Sequence, residues 1–310
     1  MGKIFVTGAA GFIGSHTCDQ LLAAGHEVVG VDNFRTGKAA NLASAKTRDR
    51  FRFVEADLTQ PARLDSLVAE FRPDAIIHLA ALVSVQESVQ NPELNFKLNV
   101  ELTQTVAEAA RKHGVKRVVF ASSAAVYGDV RELPIRENAE KRPISPYGAA
   151  KLASEAVLLG HAEAFGFTAR CQRYFNVFGP RQDPHSPYSG VISIFCDRLR
   201  AGKSPTIFGD GEQTRDFISV YDVARANVLA ATSPQIASGV ANICTGKGTS
   251  LNRLASVLRS LIPNAPGVAY AAPKASDIRH SLGAAEAAQK EFGFTAQVAL
   301  EDGLAAILST

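Results

Sequence analysis

The sequence predicts an α/β protein with a doubly wound parallel sheet and a smaller C-terminal lobe. In the first half of the chain, short apolar runs alternate with segments of helix length, as in consecutive βαβ units. These runs contain few polar residues, which is typical of strands covered by helices on both faces. After Tyr174 the alternation ends, and segments rich in Gly, Pro and Ser separate shorter runs. We therefore expect the two halves to differ in architecture.

Each element of this prediction follows from apolar periodicity and from turn residues. Strands are predicted at residues 3–7, 27–32, 51–55, 75–79, 117–121 and 168–174. Helices are predicted between them at residues 13–24, 62–71, 92–113 and 147–165. The second half should contain a loop at 179–190, a helix at 191–201, a strand at 206–208, a turn at 209–211, and helices at 220–231 and 251–261. The pattern at 239–243 is that of a strand able to return to the main sheet.

Composition and charge exclude several classes of protein. The 310 residues carry 33 Lys and Arg against 30 Asp and Glu, without a dense basic block, so no nucleic-acid partner is predicted. The cysteines form no CxxC pair and no cluster with His, which predicts reduced thiols and no metal site. The chain starts on a predicted strand and has no apolar run long enough to span a bilayer. We expect a cytoplasmic protein without a membrane partner.

A glycine-rich turn predicts a dinucleotide site of the Rossmann type. The segment VTGAAGFIG at residues 6–14 follows a predicted strand and opens a helix, whose free N–H groups favour a pyrophosphate. Asp32 ends the second strand, 18 residues beyond Gly14. A carboxylate there accepts hydrogen bonds from both ribose hydroxyls and repels a 2′-phosphate, which favours NAD over NADP. Arg35 is interpreted as a solvated surface charge, and Asp57 either reaches the adenine edge or caps a turn.

A tyrosine and a lysine predict a catalytic pair. Tyr147 and Lys151 are four residues apart and should share one face of a helix. A free tyrosine has a pKa of about 10. A nearby ammonium and a positive nicotinamide ring both favour phenolate, so we expect the pKa of Tyr147 to fall. Ser122 and Ser123 follow the fifth strand, at the edge where open α/β sheets bind ligands. A hydroxyl there can hold the substrate oxygen on which Tyr147 acts.

Four segments, TGAAGFIG, ASSAAVYG, SPYGAAK and RYFNVFGPR, resemble the extended short-chain dehydrogenase/reductase family, and within it the UDP-hexose 4-epimerases. The similarity continues through TRDFISVYDVA to SDIRHSL and covers nearly the whole chain. It implies that Tyr147 is the base, that Lys151 orients the nicotinamide ribose, and that Ser123 binds the reacting oxygen. With the glycine-rich turn, the implied NAD contacts are Gly8, Gly11, Phe12, Ile13, Gly14, Asp32, Asn33, Phe34, Thr36, Gly37, Asp57, Leu58, Ala80, Asn99, Tyr147, Lys151 and Tyr174.

The resemblance also implies a reaction. Tyr147 takes the proton of the sugar C4 hydroxyl while the C4 hydride moves to NAD⁺, and the 4-keto sugar then rotates within the pocket. NADH returns the hydride to the opposite face of C4, and Tyr147 returns the proton to the oxygen. The reaction is redox-neutral, so NAD should stay bound between turnovers. Related dehydratases carry Asp-Glu directly after the serine position. This chain has Ala124 and Ala125 there, which favours an epimerase, an isomerase, over a dehydratase.

Substrate contacts are implied mainly in the C-terminal lobe. Asn176 and Arg215 match positions that contact the diphosphate, and an Arg guanidinium suits phosphate by its geometry. The implied substrate contacts are Ser84, Ser122, Ser123, Asn176, Val191, Thr206, Phe208, Arg215, Lys274, Asp277 and Ser281. Lys274 stands where the family often has a second arginine. We expect residues 1–174, with later segments near 214–245, to bind NAD, and residues 175–310 to form most of a discontinuous UDP-sugar lobe.

One position indicates the sugar. Ser281 matches a position that is tyrosine in epimerases restricted to unsubstituted hexoses, and a serine leaves room for a 2-acetamido group. Ser84 is placed to donate a hydrogen bond to that amide. The expected reaction interconverts UDP-GlcNAc and UDP-GalNAc, with UDP-Glc and UDP-Gal as weaker substrates. The alternatives are a UDP-glucose or UDP-uronic acid 4-epimerase, a dehydrogenase or reductase with net redox, and a non-catalytic NAD-binding regulator. A homodimer through helices 92–113 and 147–165 is expected from the resemblance.

Overall fold

The computed structural model describes residues 1–183, 190–273 and 278–309. Its strands are β1 Lys3–Thr7, β2 Glu27–Asp32, β3 Phe51–Glu55, β4 Ala75–His78, β5 Arg117–Ser123, β6 Thr168–Tyr174, β7 Asn176–Phe178, β8 Thr206–Phe208, β9 Thr214–Ser219, β10 Gly239–Ile243, β11 Gly248–Ser250, β12 Ala269–Ala271 and β13 His280–Ser281. Its helices are α1 Phe12–Ala23, α2 Pro61–Phe71, α3 Val85–Gln90, α4 Pro92–Phe96, α5 Leu102–His113, α6 Pro146–Phe165, α7 Val191–Arg200, α8 Val220–Thr232, α9 Leu251–Leu261, α10 Glu286–Phe292 and α11 Leu300–Leu308.

A seven-stranded parallel sheet forms the centre of the molecule, in the order β10-β6-β5-β4-β1-β2-β3. Strand β1 shows why helices cover both faces. Its side chains alternate, so Ile4 and Val6 pack into one apolar cluster and Phe5 into another on the opposite face. Fully burying one such side chain stabilises the fold by about 1.5–3 kcal/mol. The predicted doubly wound parallel sheet is confirmed.

The second half adds two smaller sheets. Strand β9 pairs with β11, β13 and β7, and the short strands β8 and β12 pair with each other. A separate apolar cluster lies beneath them, and Phe195, Leu254 and Leu304 are among its buried members. Strand β10 instead returns to the central sheet and pairs with β6, as the apolar pattern at 239–243 indicated.

Two predicted elements differ from the structure by more than one residue at an end. The fifth strand extends two residues further than predicted, to Ser123. The predicted helix 92–113 is interrupted, because a π-helical turn at Lys97–Glu101 separates α4 from α5. Such turns insert one extra residue per turn and re-aim the side chains that they carry. Here the π turn carries Asn99, one of the implied NAD contacts.

Three further observations bear on the classes of function considered. Within residues 1–183, 190–273 and 278–309, no helix is long and apolar enough to cross a membrane. The same part of the chain contains no group of three His, Cys, Asp or Glu side chains placed to hold a metal ion. All four cysteines are buried free thiols: Cys18, Cys171, Cys196 and Cys244.

Candidate active site

The glycine-rich turn brings three segments of backbone into close contact. A Cβ atom on Gly14 would lie 2.0 Å from the carbonyl oxygen of Gly8, and one on Gly8 would lie 2.8 Å from the amide nitrogen of Ala80. Gly8 also has a φ of 70°. Helix α1 starts at Phe12 behind Gly11, which offers no side-chain cap to the N–H groups of the first turn. The turn therefore has no side chains that would keep a pyrophosphate away from the backbone, and it leaves the N–H groups at the start of α1 free to bind it.

Asp32 lies beside this turn, at the end of β2. Its Oδ2 accepts from the amide of Ala10 at 3.0 Å, and its Oδ1 accepts from the amide of Phe34 at 2.7 Å. Burial raises the pKa of Asp32, while these backbone hydrogen bonds act in the opposite direction. Phe34 adopts a φ of 57°, so the loop turns sharply over the carboxylate. Each carboxylate oxygen keeps lone-pair capacity for a ribose hydroxyl.

Three further residues of this region were considered in the sequence analysis: Gly37, Arg35 and Asp57. A Cβ on Gly37 would lie 3.0 Å from Asp32 Oδ1, so only a glycine allows this approach. Arg35, interpreted as a solvated charge, forms an ion pair with Glu87. Asp57 is exposed, and its Oδ1 accepts from the amide of Thr59 at 3.0 Å, which makes it a turn cap. The described geometry therefore favours the capping alternative for the Asp57 side chain.

Asn99 supplies an independent observation that fits a bound cofactor. The residue is 1% exposed, and its Nδ2 donates to Leu82 O at 3.0 Å and to Asn95 Oδ1 at 2.8 Å. Its own Oδ1 is buried without a hydrogen-bond partner in the part of the chain that the structure describes. A buried acceptor left unsatisfied costs about 1–3 kcal/mol, so this oxygen is suited to a donor from a ligand.

The catalytic candidates meet where α6 crosses the end of β5. Ser145 caps α6 by accepting from the amide of Gly148 at 3.1 Å, and the helix then places Tyr147 and Lys151 on one face. The Ser123 side chain, whose Oγ accepts from the amide of Ala125 at 3.2 Å, lies beside the Tyr147 phenol and acts to lower its pKa. Lys151 Nζ lies 5.9 Å from the centroid of the Tyr147 ring and donates to Ala121 O at 2.9 Å. The structure thus brings Ser123, Tyr147 and Lys151 together.

The protonation states at this site differ from the sequence prediction. Burial raises the pKa of Tyr147. The neighbouring Ser123 side chain lowers this pKa by a smaller amount, so the net change is a rise. Burial also lowers the pKa of Lys151 to about 7, against the attraction of Glu155. The prediction that the pKa of Tyr147 falls is therefore wrong for the chain alone. The reason is that burial destabilises the phenolate, and a lysine with a pKa near 7 is only partly charged.

Ser122 has a different role from the one predicted. Alternate residues of a strand point to opposite faces, so Ser122 and Ser123 diverge. Ser122 is 2% exposed, and its hydroxyl donates to the buried carboxylate of Glu155. The prediction that Ser122 contacts the substrate is corrected, because its donor is already used inside the protein.

Two more predicted side chains are engaged elsewhere. Ser84 is 1% exposed and caps α3, where its hydroxyl oxygen accepts from the amide of Glu87 at 2.8 Å. This cap uses Ser84 as an acceptor and leaves its O–H donor, so the hydrogen bond from Ser84 to an acetamido group stays a prediction. The Tyr174 hydroxyl donates to Asn227 Oδ1 at 2.6 Å, so a contact of Tyr174 with NAD would have to use its ring or backbone.

The predicted nucleotide contacts lie on the smaller sheets. Arg215 on β9 and Ser281 on β13 are partners in a parallel register, and Asn176 starts β7, which also pairs with β9. Thr206 and Phe208 belong to β8, with Phe208 38% exposed, and Val191 starts α7. Arg215 Nη1 donates to Thr214 O at 2.9 Å. Lys274 and Asp277 lie outside the described residues.

The sequence reasoning did not identify two buried charged residues next to the catalytic pair. Glu155 and Arg173 are 3% and 2% exposed and form a bidentate ion pair. Glu155 follows Lys151 by four residues, the spacing that already linked Tyr147 to Lys151. Extending that spacing by one turn is the signal that would have found it.

Comparison with known proteins places these features in a family. The model of the NAD dependent epimerase/dehydratase family matches residues 4–244. The UDP-glucose 4-epimerase of Mycolicibacterium smegmatis is 41% identical over 98% of this chain and 96% of that protein. The UDP-N-acetylglucosamine 4-epimerase from Methanobrevibacter ruminantium, in complex with UDP-N-acetylmuramic acid, superposes with a TM-score of 0.94 at 36% identity, covering 99% of this chain and 97% of that one. The Thermus thermophilus UDP-glucose 4-epimerase, in complex with NAD, superposes with a TM-score of 0.88 at 35% identity, covering 99% of this chain and 98% of that one.

These matches confirm the prediction of an NAD-dependent UDP-sugar 4-epimerase, an isomerase, with NAD as its cofactor. They do not distinguish between sugars, because both UDP-glucose and UDP-N-acetylglucosamine epimerases are among them. Residues 4–244 include the glycine-rich turn and the group formed by Ser123, Tyr147 and Lys151. The chain belongs to the NAD dependent epimerase/dehydratase family.

Proposed function

We propose that this protein interconverts UDP-GlcNAc and UDP-GalNAc by inverting C4, with UDP-Glc and UDP-Gal as slower substrates. The observation that carries the chemistry is the group formed by Ser123, Tyr147 and Lys151 at the carboxyl edge of the parallel sheet. Ligands of open α/β sheets bind at that edge. The preference for the acetamido sugar depends on Ser281.

The cofactor would be held by groups on three segments. The free N–H groups at the start of α1 would take the pyrophosphate, Asp32 the adenosine ribose, and Lys151 the nicotinamide ribose. Asn99 Oδ1, buried without a partner among the described residues, is available to a further donor. When bound, NAD supplies the reversible oxidation of a secondary alcohol to a ketone.

The side chains of the protein manage one proton at C4. Tyr147 Oη accepts the proton of the C4 hydroxyl in the first half of the reaction and returns it in the second. The Ser123 hydroxyl lies beside the Tyr147 phenol and would help to hold the C4 oxygen there. Because burial raises the pKa of Tyr147, a positive charge must favour its phenolate. The protonated Lys151 lies close enough to supply one, and an oxidised nicotinamide would add to it when bound. Proton transfer is thereby coupled to the oxidation state of the cofactor.

The choice of sugar is argued from space beside the register pair of Arg215 and Ser281. Ser281 is partly exposed at the end of the two-residue strand β13, and its small side chain leaves room next to β9. A tyrosine at this position would fill that room. Ser84 Oγ accepts from the amide of Glu87 as a helix cap, so its O–H donor is what it would offer to the carbonyl oxygen of a 2-acetamido group.

The UDP moiety is assigned to the smaller sheets, and NAD to the seven-stranded sheet. Arg215 on β9 and Asn176 on the neighbouring strand β7 would meet the diphosphate, while Thr206 and Phe208 on β8 would flank the uracil. Val191 is assigned to the same pocket. Lys274 and Asp277 keep their proposed diphosphate and ribose contacts as sequence-based assignments only.

A homodimer is part of this proposal. Phe96 at the end of α4 and Phe165 at the end of α6 are large exposed apolar side chains on the two segments expected to pair. Burying them against a second copy would remove apolar surface from water. The measurement is the molar mass in solution; a monomer at micromolar concentration would contradict it.

UDP-glucose epimerisation is the second candidate, because the M. smegmatis relative carries that name. The deciding experiment measures kcat/KM for UDP-GlcNAc, UDP-Glc and UDP-glucuronic acid on the purified protein. The proposal predicts faster turnover of UDP-GlcNAc than of the other two. Faster turnover of UDP-Glc or of the uronate would replace the proposed substrate. Inertness toward every UDP-hexose would favour a non-catalytic NAD-binding regulator.

Substitution of the gatekeeper sharpens that experiment. Ser281→Tyr should reduce kcat/KM for UDP-GlcNAc about tenfold or more relative to UDP-Glc, since a mismatch of pocket size is worth about 1–3 kcal/mol. The matched control is Ser260→Tyr, on a helix of the same lobe away from β13. An unchanged ratio for Ser281→Tyr would show that this position does not limit the sugar.

A further inference from the structure

Three consecutive residues at the end of β5 each lie against a side chain from the same face of α6. Lys151 Nζ donates to Ala121 O at 2.9 Å. The Ser122 hydroxyl donates to Glu155, and Ser123 lies beside the Tyr147 phenol and acts to lower its pKa. Residues 147, 151 and 155 recur every four positions and form one stripe along the helix. Two members of this stripe are the catalytic pair, and the third is Glu155.

Glu155 is fixed in place by a buried arginine. Arg173 on β6 donates from Nε to Glu155 Oε1 at 2.9 Å and from Nη2 to Oε2 at 2.7 Å. Arg173 also donates to the Tyr127 hydroxyl at 2.9 Å and to Glu137 O at 3.0 Å. A bidentate pair of this kind fixes the orientation of both side chains. The Glu155 carboxylate is therefore a rigid negative charge one helical turn from Lys151.

We propose that Glu155 is a positioning residue for the catalytic pair, which holds the strand end that carries Ser123 and supplies the negative charge that keeps Lys151 protonated. The proposal rests on the proposed epimerase reaction, in which a charged Lys151 favours the Tyr147 phenolate. It assigns Glu155 no contact with substrate or cofactor. Its two effects, mechanical and electrostatic, can be separated by substitution.

The electrostatic effect follows from what surrounds Lys151. Burial lowers the pKa of Lys151 to about 7, and the attraction of Glu155 raises it. On β4, burial and Lys151 itself lower the pKa of His78 to about 3, so this imidazole is neutral at physiological pH. Burial raises the pKa of Tyr147, so its phenol stays neutral until a positive charge favours the phenolate, and Arg173 is paired with Glu155. Among the described residues, Glu155 is the acidic group that acts on the pKa of Lys151.

The sign of the effect can be stated. Lys151 is charged below its pKa and neutral above it. Replacing Glu155 by a neutral residue removes an attraction for the charged form, so the pKa of Lys151 should fall. An opposite charge at close range shifts a pKa by about 1–3 units, and we expect a fall of about one unit. The alkaline limb of the pH dependence of kcat should then move to lower pH by the same amount.

The test is a titration of Lys151 by NMR in protein labelled with ¹³C at lysine Cε, with the resonance assigned from Lys151→Arg. Glu155→Gln is expected to lower the pKa of Lys151 by about one unit, and Glu155→Asp, which keeps the charge, to restore most of it. Glu163→Gln, an exposed Glu of the same helix, is the matched control and should leave the pKa unchanged. An unchanged pKa of Lys151 in folded Glu155→Gln would overturn the proposal.

Two further variants keep the test decisive. Glu155→Gln leaves the buried Arg173 without its partner, which costs stability. In the double variant Glu155→Gln/Arg173→Gln both charges are gone, and the pKa of Lys151 should still fall because the nearer charge has been removed. Ser122→Ala removes only the contact to the strand end, so it should lower kcat without moving the pH profile. A shifted profile in Ser122→Ala would contradict the separation of the two effects.

This readout does not depend on turnover. If wild-type protein fails to epimerise any UDP-hexose, the proposed function is lost, yet the titration still reports whether Glu155 controls Lys151. If the protein is active but the pKa of Lys151 does not respond, only the role of Glu155 is lost.

Discussion

The active-site edge of the seven-stranded sheet and the smaller sheets of the second half hold their residues in different ways. At the edge of the large sheet, Lys151 and Ser123 each have a partner that fixes them, and β5 is seven residues long. In the smaller sheets the proposed UDP contacts lie on strands of three and two residues, with Phe208 and Ser281 partly exposed. The proposed chemistry thus lies on a long strand and a long helix, and the proposed UDP contacts lie on short strands. Substitutions in the first region should change kcat and the binding of NAD. Substitutions in the second region should change KM for the UDP-sugar and the choice of sugar.

The largest effect is expected from Tyr147→Phe. Removing the hydroxyl that accepts the C4 proton should reduce kcat by about 10²–10⁴-fold or more, while NAD remains bound. The measurement is turnover by NMR together with the NAD content of the purified protein. Tyr221→Phe, a partly exposed tyrosine, is the control. Retained turnover in Tyr147→Phe would remove the proposed base from the mechanism.

The next largest effect concerns the glycine-rich turn. In Gly14→Ala the new methyl group would lie 2.0 Å from the carbonyl oxygen of Gly8, so the turn must shift. Overpacking of this kind costs about 1–3 kcal/mol, which corresponds to roughly tenfold or greater loss of NAD affinity. Gly160→Ala is the matched control, because nothing lies within 4 Å of its new Cβ.

The two glycine variants should have opposite effects on the stability of the protein. Gly160 lies inside α6, where alanine is the better helix former by about 1 kcal/mol, so this variant should be slightly more stable. The Tm and the NAD content of both variants decide the comparison. Equal NAD content in Gly14→Ala and wild type would show that the turn does not constrain the cofactor.

A smaller effect is expected from Arg215→Met. A charged hydrogen bond is worth about 1.5–3 kcal/mol, so KM for the UDP-sugar should rise about tenfold or more, with NAD content unchanged. Arg253→Met, which removes an exposed ion pair with Glu301 in the same half of the chain, is the control. A fall in kcat without a change in KM would place Arg215 at the reacting centre and weaken the contrast between the two regions.

The sequence predicted most of the large sheet and less of its surroundings. The strands of the first half were found because their apolar runs and the intervening helices repeat in a regular pattern. The π turn that carries Asn99 was not predicted, because a single extra residue leaves no mark on helical periodicity. The short strands β11, β12 and β13 contain too few residues for any period to be seen.

The site was predicted in its types of residue but not in all of its contacts. Tyr147, Lys151 and Ser123 lie together because spacing and strand ends determine their placement. Ser122 and Ser84 were assigned to the substrate. In the structure the Ser122 hydroxyl donates to Glu155, and Ser84 Oγ accepts from the amide of Glu87; the sequence reveals neither contact. The rise in the pKa of Tyr147 likewise depends on burial, which only the folded chain defines.

The most direct test of the account uses UDP-GlcNAc carrying deuterium at C4. Tyr147 handles the proton of the hydroxyl only, so the C4 deuterium should be retained in the epimer and should not exchange with water. NMR of the product mixture measures both the C4 configuration and the label. The account predicts UDP-GalNAc with deuterium at C4 and no net change in the oxidation state of bound NAD. Inversion with loss of deuterium to solvent, or no inversion at all, would contradict it.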